Sequence, residues 1–313
     1  MVNSKYIIIF LILFASGCKN SNNYGTEQTG QVHIVKTKPE KFTHPEPPAM
    51  ITDPTLRLEY VVRHYWDYFD FADTSYIPTP EIAEQAWVNY IDLLFRLPSD
   101  KAQKEMKNMM SKSMLNSKKL FLYFAGLADK YLYEPNSPAR NEELYITVLE
   151  VMIQSAALDD TEKIRPHSQL DWALKNRAGT KAADIQYVGV KGQTGTLYKL
   201  NTEFIILFFN DPECTSCKEH IENMRSSALI KRLLSEHKLC ILSIYSESDE
   251  EKWEKNQTNY PSDWIIGYDP SFSIRSIYDL KASPTLYLLD KNKTVLLKDA
   301  TLLQIEYYLN SHS

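Results

Sequence analysis

The run Phe204-Ile205-Ile206-Leu207-Phe208-Phe209 constrains this chain most tightly. Six consecutive large apolar side chains, with no polar alternation, describe a strand covered on both faces, as in a sheet held between two layers. Five residues after Phe209 begins Cys214-Thr215-Ser216-Cys217, and the pattern of an amphipathic helix opens at about the second cysteine. Strand, short loop, Cys-x-x-Cys and helix, in that order, is the placement that thiol chemistry needs. The helix N-terminus sets partial positive charge and free amide donors against the first sulfur, which favours thiolate. One helical turn then keeps the second sulfur near enough to close a Cys214–Cys217 disulfide. Cys214 is the expected nucleophile and Cys217 the expected resolving thiol.

Around this pair, Thr196–Tyr198, Leu239–Tyr245, Trp264–Tyr268, Thr285–Leu289 and Thr294–Lys298 read as further strands. Residues 214–236, 250–258, 271–280 and 301–310 read as helices. The alternation predicts an α/β domain with helices on both faces of a central mixed sheet. Gly189, Gly192 and Gly195 fit the turn chemistry of a hairpin; no Gly-Lys-Ser/Thr follows, so they do not form a phosphate loop. Cys240, within Leu239-Cys240-Ile241-Leu242, reads as an inert buried thiol.

Residues 51–176 carry helical periodicity instead. Asp53-Pro54, Thr79-Pro80, Ser99, Ser117 and Ser137-Pro138 read as successive helix starts, and Gly179 as a stop. The expectation is an all-helical bundle of five or six helices. His64, Asp67 and Asp70 cluster on the first helix, but no second ligand pair accompanies them, so no metal site is expected. Tyr65, Trp66, Tyr68 and Phe69 fit core packing better than a ligand groove. The bundle reads as a scaffold or as a module that binds another protein.

At the N-terminus, Lys5 precedes the apolar run Tyr6–Ala15, and Ser16-Gly17-Cys18 follows. That run is too short for a transmembrane helix and fits a secretory signal. A cysteine directly after Ser-Gly resembles a bacterial lipobox. The resemblance implies cleavage after Gly17, acylation of Cys18 and an exported chain lipid-anchored to a bacterial membrane, facing the periplasm. Residues 18–50 then read as a tether of roughly 30 Å. Export places the cysteines where disulfides persist. A net charge of −5 without a basic run argues against nucleic acid as a partner.

Residues 177–313 resemble the thioredoxin fold, and within it the membrane-tethered TlpA/ResA-like thiol–disulfide oxidoreductases. The likeness rests on Cys214 and Cys217, on Ala182-Ala183-Asp184-Ile185, similar to the family's Pro-x-Phe-x-Leu lead-in, and on Ser283-Pro284-Thr285, similar to its cis-proline loop. It implies that Pro284 is cis beside the disulfide and that Ser283, Pro284 and Thr285 meet the substrate strand. It implies no metal and no organic cofactor beyond the redox-active disulfide. The implied partners are exported protein thiols and disulfides and an upstream thiol electron donor, with reduction as the favoured direction. Signal, lipobox, helical domain over 51–176 and thioredoxin-like domain over 177–313 together resemble an architecture of Bacteroidetes lipoproteins. His64-Tyr65-Trp66-Asp67 and Phe69-Asp70-Phe71 carry that likeness, which brings no activity with it.

The chain departs from the thioredoxin pattern at three places. Glu213 replaces the tryptophan before the first cysteine; with Asp211 it opposes thiolate formation, while Lys218 and His220 favour it. Phe208 stands where the family keeps a buried aspartate, and Thr215-Ser216 lacks the proline or histidine of strong reductants or oxidants. Two other readings therefore stay open. One is a non-catalytic binding or assembly lipoprotein whose thioredoxin fold is a scaffold. The other is metal capture by the reduced dithiol with a histidine such as His220, a shell still short of ligands.

Overall fold

The computed structural model describes residues 41–247, 249–271 and 273–313. The signal segment, Cys18 and most of the expected tether lie outside these residues. Among the described residues, six α-helices form the N-terminal half: α1 Pro54–His64, α2 Pro80–Leu94, α3 Ser99–Asn116, α4 Lys118–Ala128, α5 Glu142–Gln154 and α6 Asp160–Leu174. Asp53 caps α1 by accepting from the Leu56 amide, and Ser117 caps α4 through the Leu120 amide. The expected start at Ser137-Pro138 is not a helix start. There the Ser137 hydroxyl donates to the Tyr131 carbonyl at 2.6 Å and closes the π-helical turn Asp129–Tyr133, so α5 waits for its cap at Asn141. The bundle core is aromatic: Trp66, Trp87, Tyr90, Phe121 and Phe124 are all buried. Tyr65, Trp66 and Phe69 are core as expected, whereas Tyr68 is 67% exposed. The tether ends earlier than the sequence suggested, because Phe42 stacks on Tyr65 at 4.9 Å and His44 on the same ring at 5.1 Å.

Helix α6 stops at Leu174, ahead of the expected Gly179. Asn176 turns the chain with a φ of 48°, donating its amide to the Ile277 carbonyl and accepting from the Ala183 amide. Beyond it a seven-stranded sheet runs in the order β2-β1-β5-β4-β3-β6-β7. Its strands are β1 Gln186–Gly189, β2 Thr194–Thr196, β3 Phe204–Asn210, β4 Leu239–Tyr245, β5 Ile265–Tyr268, β6 Thr285–Asp290 and β7 Val295–Lys298. β3 lies parallel to β4 and antiparallel to β6, so the sheet is mixed. β1 and β2 form the glycine-marked hairpin, with Gly192 at a φ of 73°. The Tyr187 ring crosses Gly195 and Gly267 so closely that a Cβ on either would lie 2.3 or 2.6 Å from it.

The double burial of β3 follows from its alternation. Phe204, Ile206 and Phe208 pack under helices α7 Thr215–Ser226, α8 Ala228–Ser235 and α11 Leu302–His312. Ile205, Leu207 and Phe209 pack on the other face with Ala182, Ile185, Ile274 and Tyr278. The helix expected over 214–236 is divided at Ser227, which takes an extended ψ of 120° and caps α8 through the Ile230 amide. The one expected over 271–280 shrinks to α10, Ile274–Ile277, because the Asp269 carboxylate gathers the Ser271 and Ile274 amides into a turn. Helix α9, Glu250–Asn256, lies between β4 and β5 in the chain.

Candidate functional site

Cys214 is the N-cap of α7, with extended backbone and its Sγ accepting from the Cys217 amide at 3.4 Å. That donor belongs to the first helical turn, whose free amides and dipole favour negative charge on the sulfur. The same sulfur lies 3.6 Å from the Ser283 carbonyl, to which its thiol donates. The Ser283–Pro284 peptide is cis, and Thr285 opens β6 opposite Phe209 with its hydroxyl on the Ala282 carbonyl. Cys214, Cys217, Ser283, Pro284 and Thr285 thus meet at one end of the central strands. Both cysteines are free thiols here, the reduced form of the pair for which a disulfide was expected.

The two thiols differ in surroundings. Cys214 is partly exposed, and Cys217 is fully buried. Burial pushes the Cys217 thiol up to about 12, and the hydrogen bond and charge of Cys214 reinforce this against an opposing contact from the Asp211 backbone. At neutral pH Cys217 therefore holds its proton until the environment changes. Cys240 is partly exposed rather than buried as expected, although desolvation still raises its thiol to about 11.

The two acids before the pair have a partner that the sequence did not reveal. Lys252 of α9 places its Nζ 2.7 Å from Asp211 Oδ2 and 3.3 Å from Glu213 Oε2. These contacts, the Asp211 hydrogen bond first, raise the Lys252 pKa and keep the ammonium charged. The loop beside the thiols is thus more nearly neutral than Asp211-Pro212-Glu213 alone suggests. His220 is turned back onto its own helix, with Nδ1 2.8 Å from the Ser216 carbonyl oxygen. Lys252→Met should accordingly slow iodoacetamide alkylation of Cys214 at neutral pH by about three- to tenfold, since two carboxylates would lose their counter-charge. An unchanged rate would show that the acids do not act on the sulfur.

Phe208 is fully buried and meets Trp264 edge-to-face at 6.3 Å, so the position of the family's buried acid is apolar. Beneath the pair lies a neutral network instead. Tyr260 donates to Asn210 Oδ1 at 2.6 Å, and Asn210 Nδ2 donates to Ser243 Oγ at 2.7 Å. Tyr260 and Lys252 are 43 and 35 residues beyond Cys217, on an inserted segment without a motif, and only the fold brings them here. His64, Asp67 and Asp70 form no centre: His64 Nδ1 pairs with Asp67 Oδ2 at 2.7 Å and Asp70 caps the Ala72 amide. Among the described residues, no group of three or more His, Cys, Asp or Glu is arranged to hold a metal, and no helix is long and apolar enough to cross a membrane.

The family model described as "Domain of unknown function (DUF5106)" matches residues 17–176. Among solved structures, a thioredoxin-like protein from Bacteroides caccae is 48% identical, covering 87% of this chain and 99% of its own, with a TM-score of 0.85. The C-terminal domain of an uncharacterized protein from Bacteroides fragilis is 46% identical over 43% of this chain and 98% of its own, with a TM-score of 0.42. A domain of a possible thiol-disulfide isomerase from Cytophaga hutchinsonii is 22% identical over 43% of this chain and 92% of its own, with a TM-score of 0.35. No curated protein matches the chain. This chain thus joins a helical N-terminal region to a thioredoxin-like domain, and the Bacteroides caccae protein matches it across both.

Proposed function

This chain belongs to the DUF5106 family and, with its Bacteroides caccae relative, to the thioredoxin-like proteins, and from that premise we propose that it is a thiol–disulfide oxidoreductase acting through Cys214 and Cys217. The carrying observation is the meeting of an amide-supported, accessible sulfur with the carbonyl of a cis-proline loop, above a buried second thiol. In reduction, the Cys214 thiolate attacks a substrate disulfide; a Cys214–substrate bond forms and the leaving sulfur departs as a thiolate that takes up a proton. Cys217 then gives up its proton and attacks Cys214 Sγ. The second substrate thiolate leaves, the Cys214–Cys217 disulfide closes, and two electrons have passed to the substrate. An upstream thiol donor restores the dithiol; metal and organic cofactor have no part in these steps. Exported proteins are the substrates in this reading, and acylation at Cys18 holds the enzyme to a membrane facing the periplasm. The helical domain adds a binding surface for a protein partner.

A redox titration tests the reaction. Residues 40–313 form one compact unit, which can be equilibrated in glutathione or dithiothreitol buffers and read by thiol alkylation. The expected result is a reversible two-electron transition between about −120 and −270 mV, absent from Cys214→Ser and Cys217→Ser. A pair that stays oxidised below about −300 mV is a structural disulfide, and the non-catalytic reading then takes over.

A further inference from the structure

The segment that leads into the cis-proline loop is held by the helical half of the chain. Lys175 Nζ donates to the Ser276 carbonyl at 2.8 Å, and Asn176 Nδ2 to the Ile277 carbonyl at 2.8 Å. Further along, Lys281 is largely buried between the halves. Its ammonium stands 3.9 Å above the Tyr133 ring and 3.7 Å from Glu142 Oε1, at the start of α5. It also lies 2.8 Å from Asp279 Oδ2, close enough for an ion pair though not aligned as a hydrogen bond. The other Glu142 oxygen is 2.9 Å from Lys298 Nζ at the end of β7. One carboxylate of the helical half therefore reaches two lysines of the thioredoxin-like half. Two residues beyond Lys281 comes Ser283, whose carbonyl faces the Cys214 sulfur. Past Pro284 the chain is fixed again, because Thr285 pairs with Phe209 in the sheet. The loop hangs between two abutments, and the helical half supplies one of them.

We infer that Lys281 is a positioning residue for disulfide exchange, anchored by Glu142 and Tyr133 of the helical domain so that Ser283 presents its backbone to a protein substrate beside Cys214. This deepens the oxidoreductase reading and rests on it. The loop matters for a substrate that pairs with its backbone along a strand. A small disulfide needs only access to the Cys214 sulfur. The two substrate classes should therefore separate when the anchor is cut.

The test uses the full chain with Lys281→Gln, Lys281→Arg and Glu142→Gln, assayed on insulin disulfides and on the small aromatic disulfide of Ellman's reagent. Lys281→Gln should lower kcat/KM for insulin about tenfold and leave the small-disulfide rate within about twofold, a loss below the roughly hundredfold that a full ångström of misplacement can cost. Lys281→Arg should restore most of the insulin rate, because it keeps the charge on Glu142. Circular dichroism and thermal melting check that each variant is folded; if Lys281→Gln is not, Glu142→Gln gives the same reading through the other partner. The inference is overturned if folded variants reduce insulin as the wild type does, or if both substrates slow together. The reaction itself fails separately: the wild type would then leave insulin intact and lack the Cys214–Cys217 redox transition, and the inference would fall with it.

Discussion

Cys217→Ser should arrest the protein as a stable mixed disulfide between Cys214 and its substrate, and Cys214→Ser should lower turnover by about a thousandfold or more. The asymmetry of the two thiols supports this order of events. Only Cys214 combines exposure with an amide donor, whereas Cys217 is fully buried with its thiol pushed up to about 12. An alkylating reagent at pH 8 should mark Cys214 and spare Cys217, whose buried thiol stays protonated at that pH. The sign for stability follows from the same shift. The folded Cys217 pKa lies above its ordinary value of 9.0, so the thiol stabilises the fold fully below about pH 9, and that contribution is lost as pH rises towards 12. The wild type should accordingly lose more of its urea midpoint between pH 8 and pH 11 than Cys217→Ser does. Equal alkylation of both thiols at pH 8 would refute the assignment of nucleophile and resolving thiol.

The second large effect concerns stability. Lys298→Met should destabilise the protein by about 3 kcal/mol, read as a fall in the urea midpoint. The Lys298 side chain is 5% exposed, and its ammonium is shared among Glu142 Oε2 and the carbonyls of Ala173 and Lys175, each carbonyl at 2.8 Å. Burial lowers the Lys298 pKa and raises that of Glu142, and the attraction between them opposes both shifts. Removing the cation leaves a half-buried carboxylate with Lys281 at 3.7 Å, and two carbonyls lose their donor. The double variant with Glu142→Leu should recover part of the loss, because a buried ion pair replaced whole costs far less than one broken in half. A loss under about 1 kcal/mol for the single variant would mean that the seam does not depend on this pair.

Most of the fold could be read in the chain because its signals are local. The β3 run showed its double burial directly, and the cysteine pair fell at the start of α7, where helix and strand periods meet. Helix ends were harder. Ser137-Pro138 spells a start, yet a π-helical turn already uses the Ser137 hydroxyl, and Ser227 breaks an amphipathic pattern that continues on both sides of it. The site's chemistry was half legible. Asp211 and Glu213 looked unfavourable because their partner, Lys252, comes from a different helix with no spacing to announce it. Lys281 and Glu142 are ordinary surface-type residues in the sequence, and only tertiary packing buries them together.

The shared carboxylate of Glu142 has a thermodynamic corollary. If the helical half takes a ligand that tightens it around Lys281, that ligand would change the affinity of the cis-proline loop for a protein substrate by some factor. Linkage requires the substrate to change the affinity for that ligand by the same factor. A protein disulfide seated on Ser283 would then act as an effector of whatever the helices bind, and release of the reduced product would reset them.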